Sequence, residues 1–293
     1  MSKNTIATQG GAFEDVAENV RHLTIVFVNA YFISTPGAWV LVDTGLPLTG
    51  WRIRNYAEGL YGKGAKPSAI ILTHGHFDHA GSVLDLANEW DVPVYAPQDP
   101  SVGGAIAQMS RVFPHGGIDL GSRVKEIGET DEIAELPDWK FIHTPGHTAG
   151  HIALFRESDR TLLAGDALAT MNLDSWASNI TQKKEFSEPP APFTPDWDAA
   201  RRSVEMLARL EPEVVAAGHG QPIKENAAAR LKEFSSNFRR PAHGRYVNQP
   251  AIADETGIRY VPPPVADPVK NYLIAAGAAA IGGLVLARLL KRR

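Results

Sequence analysis

The stretch Thr73-His74-Gly75-His76-Phe77-Asp78-His79 places three imidazoles and a carboxylate within six residues, a density of metal-binding groups that no packing role requires. It follows Ser68-Ala-Ile-Ile-Leu, an apolar run that reads as a buried strand, and precedes Ala80-Gly81, where helical spacing begins. The donors therefore sit on a strand-to-helix turn. Along an extended backbone His74 and His76 point to one side, and the turn can bring Asp78 and His79 round to face a second position. One loop can serve two cations, but four residues are too few to complete two coordination shells. Further donors follow other apolar runs: His147 in Thr144-Pro-Gly-His-Thr148, Asp166 in Ala164-Gly-Asp, and His219 in Ala217-Gly-His-Gly220.

Bulk composition narrows the chemistry. The 293 residues are 44% hydrophobic and 21% charged, the balance of a globular protein with an ample core. There is no cysteine, so disulfides and thiolate ligation are excluded and any metal is held by nitrogen and oxygen. The formal charge is −4, with no long basic block in the globular part, which argues against nucleic acid as a partner and favours a small organic substrate. Residues 1–11 are polar and lack the apolar core of a secretory signal.

Strand character recurs over residues 22–34, 38–42, 68–73, 139–143, 151–157, 161–164 and 213–216, and helical spacing over 49–60, 81–90, 196–210 and 225–238. Strands that come first in hairpins and later among helices predict two packed sheets with helices outside. Residues 1–240 form the expected domain. Residues 241–268 hold six prolines and read as an extended linker. The long irregular stretch between Asp166 and Asp196 carries Trp176, Phe186 and Phe193 and is a candidate substrate rim, with an ordinary packed surface loop as the equal alternative. His115, in Phe113-Pro-His-Gly-Gly117, is a weaker candidate to line the pocket, whereas His22 and His143 read as structural histidines.

Residues 269–293 have a different character. No charge occurs between Asn271 and Ala287, and residues 272–290 as a helix would span about 28 Å, close to the hydrocarbon thickness of a bilayer. The expectation is a membrane anchor; a helix packed on the domain or on another copy is the alternative, since six alanines and three glycines make the segment weakly apolar. The terminal Lys291-Arg-Arg293 would favour a cytoplasmic tail, but without an export signal a cytoplasmic catalytic domain is the expectation. The oligomeric state is not legible.

Taken together, Val42-Asp43-Thr44-Gly45, the His74 to His79 cluster, Thr144-Pro-Gly-His147-Thr-Ala-Gly-His151, Gly165-Asp166 and Gly218-His219-Gly220 resemble, in order and spacing, the metallo-β-lactamase-fold hydrolase superfamily over about residues 20–225. The resemblance implies an αββα four-layer sandwich with the metals at one edge between the sheets. It also implies His74, His76 and His147 on a first metal, Asp78, His79 and His219 on a second, and Asp166 bridging both. Two zinc ions are the expected cofactors, with iron or manganese as possible substitutes. Such a pair would lower the pKa of a shared water toward about 7, and Asp78 would be the catalytic group that orients the resulting hydroxide and carries its proton to the leaving group. Asp43 is the candidate to hold a ligand ring from behind, and His151 is read as a supporting group behind the ligands rather than a ligand.

The same scaffold cleaves lactams, thioesters, lactones and phosphodiesters, so the substrate has to be argued from the loops. Asp166 argues against an antibiotic-hydrolysing enzyme, since those usually lack a bridging Asp there. Quorum-quenching lactonases usually carry a Tyr between the bridging Asp and the last His, and residues 167–218 contain none. Glyoxalase II enzymes usually follow the last His with an acidic and an aromatic residue, where this chain has Gly220-Gln-Pro-Ile223, although Lys224 and Arg230 could still hold a carboxylate. The expectation is a dinuclear zinc hydrolase of a small thioester or lactone. The alternatives are a mononuclear iron sulfur dioxygenase, a β-lactam or phosphodiester hydrolase, and a membrane-bound binding module.

Overall fold

The computed structural model describes residues 15–97, 124–127, 132–172, 183–242, 244–254, 257–263, 265 and 283. Its strands in chain order are β1 (Asp15–Ala17), β2 (Val20–Ile25), β3 (Val28–Thr35), β4 (Ala38–Val42), β5 (Ala69–Ile71), β6 (Val94–Pro97), β7 (Val124–Ile127), β8 (Trp139–His143), β9 (Ile152–Arg156), β10 (Thr161–Leu163), β11 (Val214–Ala216), β12 (Ile252–Asp254) and β13 (Gly257–Tyr260). The helices are α1 (Gly50–Tyr61), α2 (Val83–Trp90), α3 (Trp197–Arg209) and α4 (Ala227–Ser236), and a 3-10 turn spans Ala191–Phe193.

One sheet runs β1-β2-β3-β4-β5-β6-β7, antiparallel from β1 to β4 and parallel from β4 to β7. The other runs β11-β10-β9-β8, with β10 parallel to β11 and the remaining pairs antiparallel. Side-chain alternation along the central strands sorts the molecule into layers. Ala30, Phe32, Leu41, Ile70 and Leu72 pack outward onto Ile53 and Ala57 of α1 and Val83, Leu86 and Ala87 of α2. Their neighbours Tyr31, Ile33, Val40, Val42, Ala69 and Ile71 pack inward against Phe141, Ile152, Leu154, Leu163 and Ala216 of the second sheet. The outer face of that sheet, through Ala153, Phe155, Leu162 and Val215, is covered by Ala200, Val204 and Leu207 of α3 and by Leu231 of α4. Both faces of the central strands are buried, which is why 68–72 reads as an unbroken apolar run rather than an alternating one. The order of layers is αββα.

Helix limits agree with the periodicity to within one or two residues, the usual uncertainty of helix ends. At the start of α3 the Asp196 carboxylate accepts from the backbone N–H groups of Asp198 and Ala199 at 3.0 and 2.9 Å, an N-cap that fixes where this helix begins. Residues 22–34 are not one segment. They divide into β2 and β3, which pair with Ile25 opposite Val28 across the two-residue turn Val26-Phe27. Val26 adopts a φ of 67°, a left-handed conformation uncommon for a β-branched residue, and without Gly, Pro or Asn at that point the turn was hidden.

The expectation of an extended linker over 241–268 needs correction for its described part. β12 and β13 pair antiparallel, the Ala251 N–H donates to the Pro195 carbonyl at 3.2 Å, and Tyr246 packs on the outer core of the second sheet. No proline lies between Pro250 and Pro262, which leaves room for a hairpin, so the folded unit does not stop at residue 240. Of the expected apolar helix 269–293, all but Gly283 lies outside the described residues, as do His115 and Trp176. Among the described residues no helix is long and apolar enough to cross a membrane.

Candidate metal centre

The ends of four strands and one hairpin turn meet at a single edge of the sandwich. Thr73 to His79 follow β5, Asp43 follows β4, His147 lies between β8 and β9, Asp166 follows β10 and His219 follows β11. The two sheets are joined there by main-chain hydrogen bonds from Ile152 N to Thr73 O at 3.0 Å and from Asn29 N to Gly218 O at 2.8 Å. These contacts bring donors from distant parts of the sequence to one place. His74, His76 and His147 form one group, Asp78, His79 and His219 a second, and His74, His79 and Asp166 a third, with the donor atoms of each group within 4.8 Å of one another. Asp166 lies between the first two, its Oδ2 3.3 Å from His147 Nε2 and 3.1 Å from His219 Nε2, and its Oδ1 3.4 Å from His79 Nε2.

Four of the five rings are held from behind. Thr73 donates its hydroxyl to Asp43 at 2.8 Å, so toward His74 Nδ1, 3.0 Å away, it is an acceptor. Thr194 donates to the Pro190 carbonyl at 2.8 Å and in the same way accepts from His147 Nδ1 at 3.2 Å. His79 Nδ1 donates to Asp43 Oδ2 and His219 Nδ1 to the Phe27 carbonyl, both at 2.8 Å. In the neutral form of all four the proton therefore belongs on Nδ1, and the Nε2 lone pair faces the centre. His76 differs in presenting Nδ1, which lies 3.1 Å from His74 Nε2 and 2.8 Å from His147 Nε2. It can give a proton to only one of those two lone pairs. His79 Nε2 and Asp166 Oδ1 are buried without a hydrogen-bond partner. Converging lone pairs and orphaned buried donor atoms cost free energy unless a cation sits among them, so this set fits metal held by nitrogen and oxygen.

Electrostatics agree with that reading. Burial works against charge on His79, but the carboxylates of Asp166, Asp43 and Asp78 outweigh it and hold the imidazole well above the ordinary histidine range. His219 is raised for similar reasons by Asp166 and Asp78. His74 and His147 go the other way, pushed well below the ordinary value by burial and by neighbouring imidazoles. Asp166 is pushed up by burial but held well below the carboxylate range by His219 and His79. Without a cation the Asp166 carboxylate therefore favours a proton on His79 and His219, while His74 and His147 offer neutral nitrogen.

His151 is not among the converging donors. Its Nε2 accepts from the Asp166 N–H at 2.8 Å and its Nδ1 pairs with Thr144 Oγ1 at 2.7 Å, so it holds the backbone that presents Asp166. Phe193, in the 3-10 turn, lies with its ring 5.9 Å from that of His76. Phe186 packs on Phe234 at 6.0 Å within the outer layer of the second sheet, and the rim reading does not extend to it. Sequence reasoning missed Thr73, Thr194, Phe27, Asn29 and Tyr31 because they act through backbone, hydroxyl or, for Asn29, side-chain amide contacts that leave no spacing pattern. Only Thr73, next to the first His, had a signal of position. At Gly218 a Cβ would lie 2.0 Å from Asp166 Oδ1 and 2.5 Å from His79 Cε1, so this glycine allows the backbone to approach the centre.

A histidine and aspartate centre of this kind, at the edge of an αββα sandwich, defines the class of metallo-hydrolases. Residues 23–219 match the family described as Metallo-beta-lactamase superfamily. The chain is 41% identical over 252 residues to "Probable metallo-hydrolase YflN" of Bacillus subtilis (strain 168), covering 79% of this chain and 96% of that one. It is 39% identical over 134 residues to a hydroxyacylglutathione hydrolase of Alkalilimnicola ehrlichii, covering 44% of this chain and 46% of the other. Among solved structures it is similar to TTHA1623 in a di-iron-bound form, with a TM-score of 0.54 and 27% identity over 73% of this chain and 98% of that one. The chain belongs to the metallo-β-lactamase superfamily and is a metal-dependent hydrolase.

Proposed function

We propose that the protein hydrolyses a small thioester or lactone, using two divalent cations held by His74, His76 and His147, by Asp78, His79 and His219, and by Asp166 between them. The observation that carries the reading is the fixed tautomer of four rings, each with Nε2 turned inward by a named partner. When bound, the cations supply Lewis acidity, lowering the pKa of a water and polarising the substrate carbonyl. The remaining work falls to the chain. Asp78, whose Oδ2 is 3.6 Å from His219 Nε2, would accept a proton from the attacking water and return it to the leaving thiolate or alkoxide. Phe193 supplies an apolar wall beside His76 that keeps bulk water from the reacting carbonyl.

The similarity to hydroxyacylglutathione hydrolases favours a thioester over a lactone, and the di-iron form of a related structure supports iron as an alternative to zinc. A panel of thioesters, lactones, phosphodiesters and β-lactams, compared by kcat/KM with metal content measured on the same sample, tests the assignment. Highest kcat/KM on a thioester or lactone with two metals per chain is the expected result. A single iron with oxygen consumption on a persulfide would replace it with the dioxygenase alternative. The apolar segment 269–293 is proposed to tether this catalytic unit to a membrane from the cytoplasmic side. Protease protection of tags at either terminus in vesicles checks that arrangement.

A further inference from the structure

The loop that carries His219 is held by residues that touch no ligand atom. In Ala217-Gly218-His219-Gly220 all four carbonyls are engaged. The buried Asn29 amide donates to the Ala217 carbonyl at 3.0 Å and to the Gly220 carbonyl at 2.7 Å, and its backbone N–H donates to the Gly218 carbonyl at 2.8 Å. The Tyr31 hydroxyl donates to Ala217 O at 2.5 Å. The His219 carbonyl accepts from both the backbone N–H and the hydroxyl of Thr170, at 3.0 and 2.9 Å. Asn29 is itself fixed, its Oδ1 accepting from Thr24 Oγ1 at 2.8 Å, which leaves the amide nitrogen no choice but to face the loop. The Phe27 ring stacks on the His219 imidazole at 5.9 Å while its carbonyl takes the Nδ1 proton. The first group, His74, His76 and His147, receives none of these contacts and is held by Thr73 and Thr194 instead.

We propose that Asn29 and Tyr31 are positioning residues for the second cation alone, setting its affinity through the backbone on either side of His219. The inference rests on the two-cation reading above. Holding the loop in advance removes the ordering cost of bringing His219 to Asp78 and Asp166, so loosening it weakens the cation at that group and leaves the other unchanged. Asn29→Asp keeps the size and the Thr24 acceptor but replaces the donating amide by an oxygen that repels both carbonyls. Tyr31→Phe and Thr170→Val each remove a single hydroxyl and secure a result if the Asn29 variant does not fold.

The test is titration of the full-length metal-free protein with cobalt(II), followed by its visible absorption bands, with zinc displacement under a competing chelator as a second readout. Wild type is expected to bind two cobalt ions with separable bands. In the variants the first is expected to bind as in wild type and the second about ten- to a hundredfold more weakly. A merely structural role would move both bands and both affinities together. Equal weakening of both ions, or no weakening of either, would overturn the assignment of Asn29 and Tyr31 while leaving the two-cation centre standing. A wild type that takes up one cobalt ion overturns the two-cation reading and the clamp with it.

Discussion

His79 Nδ1 and Asp43 Oδ2 lie 2.8 Å apart with both side chains buried, and the same carboxylate accepts from the backbone N–H and hydroxyl of Thr73, both at 2.8 Å. One buried anion thus orients His79 directly and His74 through Thr73, so that it reaches both groups of converging side chains. Asp43 has a φ of 60°, a left-handed conformation that Asp and Asn tolerate better than other side chains. Asp43→Asn is expected to weaken zinc binding at both positions by about ten- to a hundredfold, with chelator competition as the measurement. Unchanged affinity at either group would show that Thr73 and the backbone hold the rings without it.

Metal removal has a structural consequence as well as a catalytic one. A ligand that binds only the folded state at a hundredfold its Kd stabilises by about 2.7 kcal/mol. Dialysis against a chelator is expected to abolish turnover and lower the Tm, and zinc is expected to restore both. A protein whose Tm ignores chelator would contradict the ligand set.

The pH dependence follows from opposed shifts. His79 is raised well above its ordinary value of 6.5, against burial, by Asp166, Asp43 and Asp78. In metal-free protein its contribution to stability is therefore present below that value and is lost as pH rises through the folded-state pKa. A cation has to displace that proton, so zinc uptake at pH 7 releases protons and the affinity rises with pH. Calorimetry in buffers of different ionisation heat measures the release, and a titration without proton exchange would refute it.

Gly218→Ala tests the close approach at the centre. Its Cβ would meet Asp166 Oδ1 at 2.0 Å, so Asp166 or the loop must move. The variant is expected to fold, since the sheets are unaffected, but to lose at least one of two zinc ions by elemental analysis.

The outer core is a control for stability. Phe32 is fully buried, edge-on to Tyr56 at 4.7 Å and stacked on Trp39 at 5.5 Å. Phe32→Ala is expected to cost about 3–5 kcal/mol in urea denaturation with little change in metal stoichiometry, because its side chain faces α1 and α2 rather than the centre.

The His-rich loop, the lone donors after later strands and the apolar runs between them were legible in the amino-acid sequence, because donor chemistry and strand periodicity are local properties of neighbouring residues. Those features were enough to infer two sheets with helices outside and to name His74, His76, Asp78, His79, His147, Asp166 and His219 as a set. The sequence could not show that Phe27 and Val26 form a hairpin turn, that Phe186 packs under α4 while Phe193 meets His76, or that residues 252–260 pair as a hairpin. Nor could it show which ring nitrogen faces inward. That choice depends on Thr73, Thr194, Asp43 and the Phe27 carbonyl, which lie between one and 192 residues from the rings they orient. Only the packing of one sheet on the other brings such partners within hydrogen-bond distance, so the tertiary structure alone decided the direction of the lone pairs.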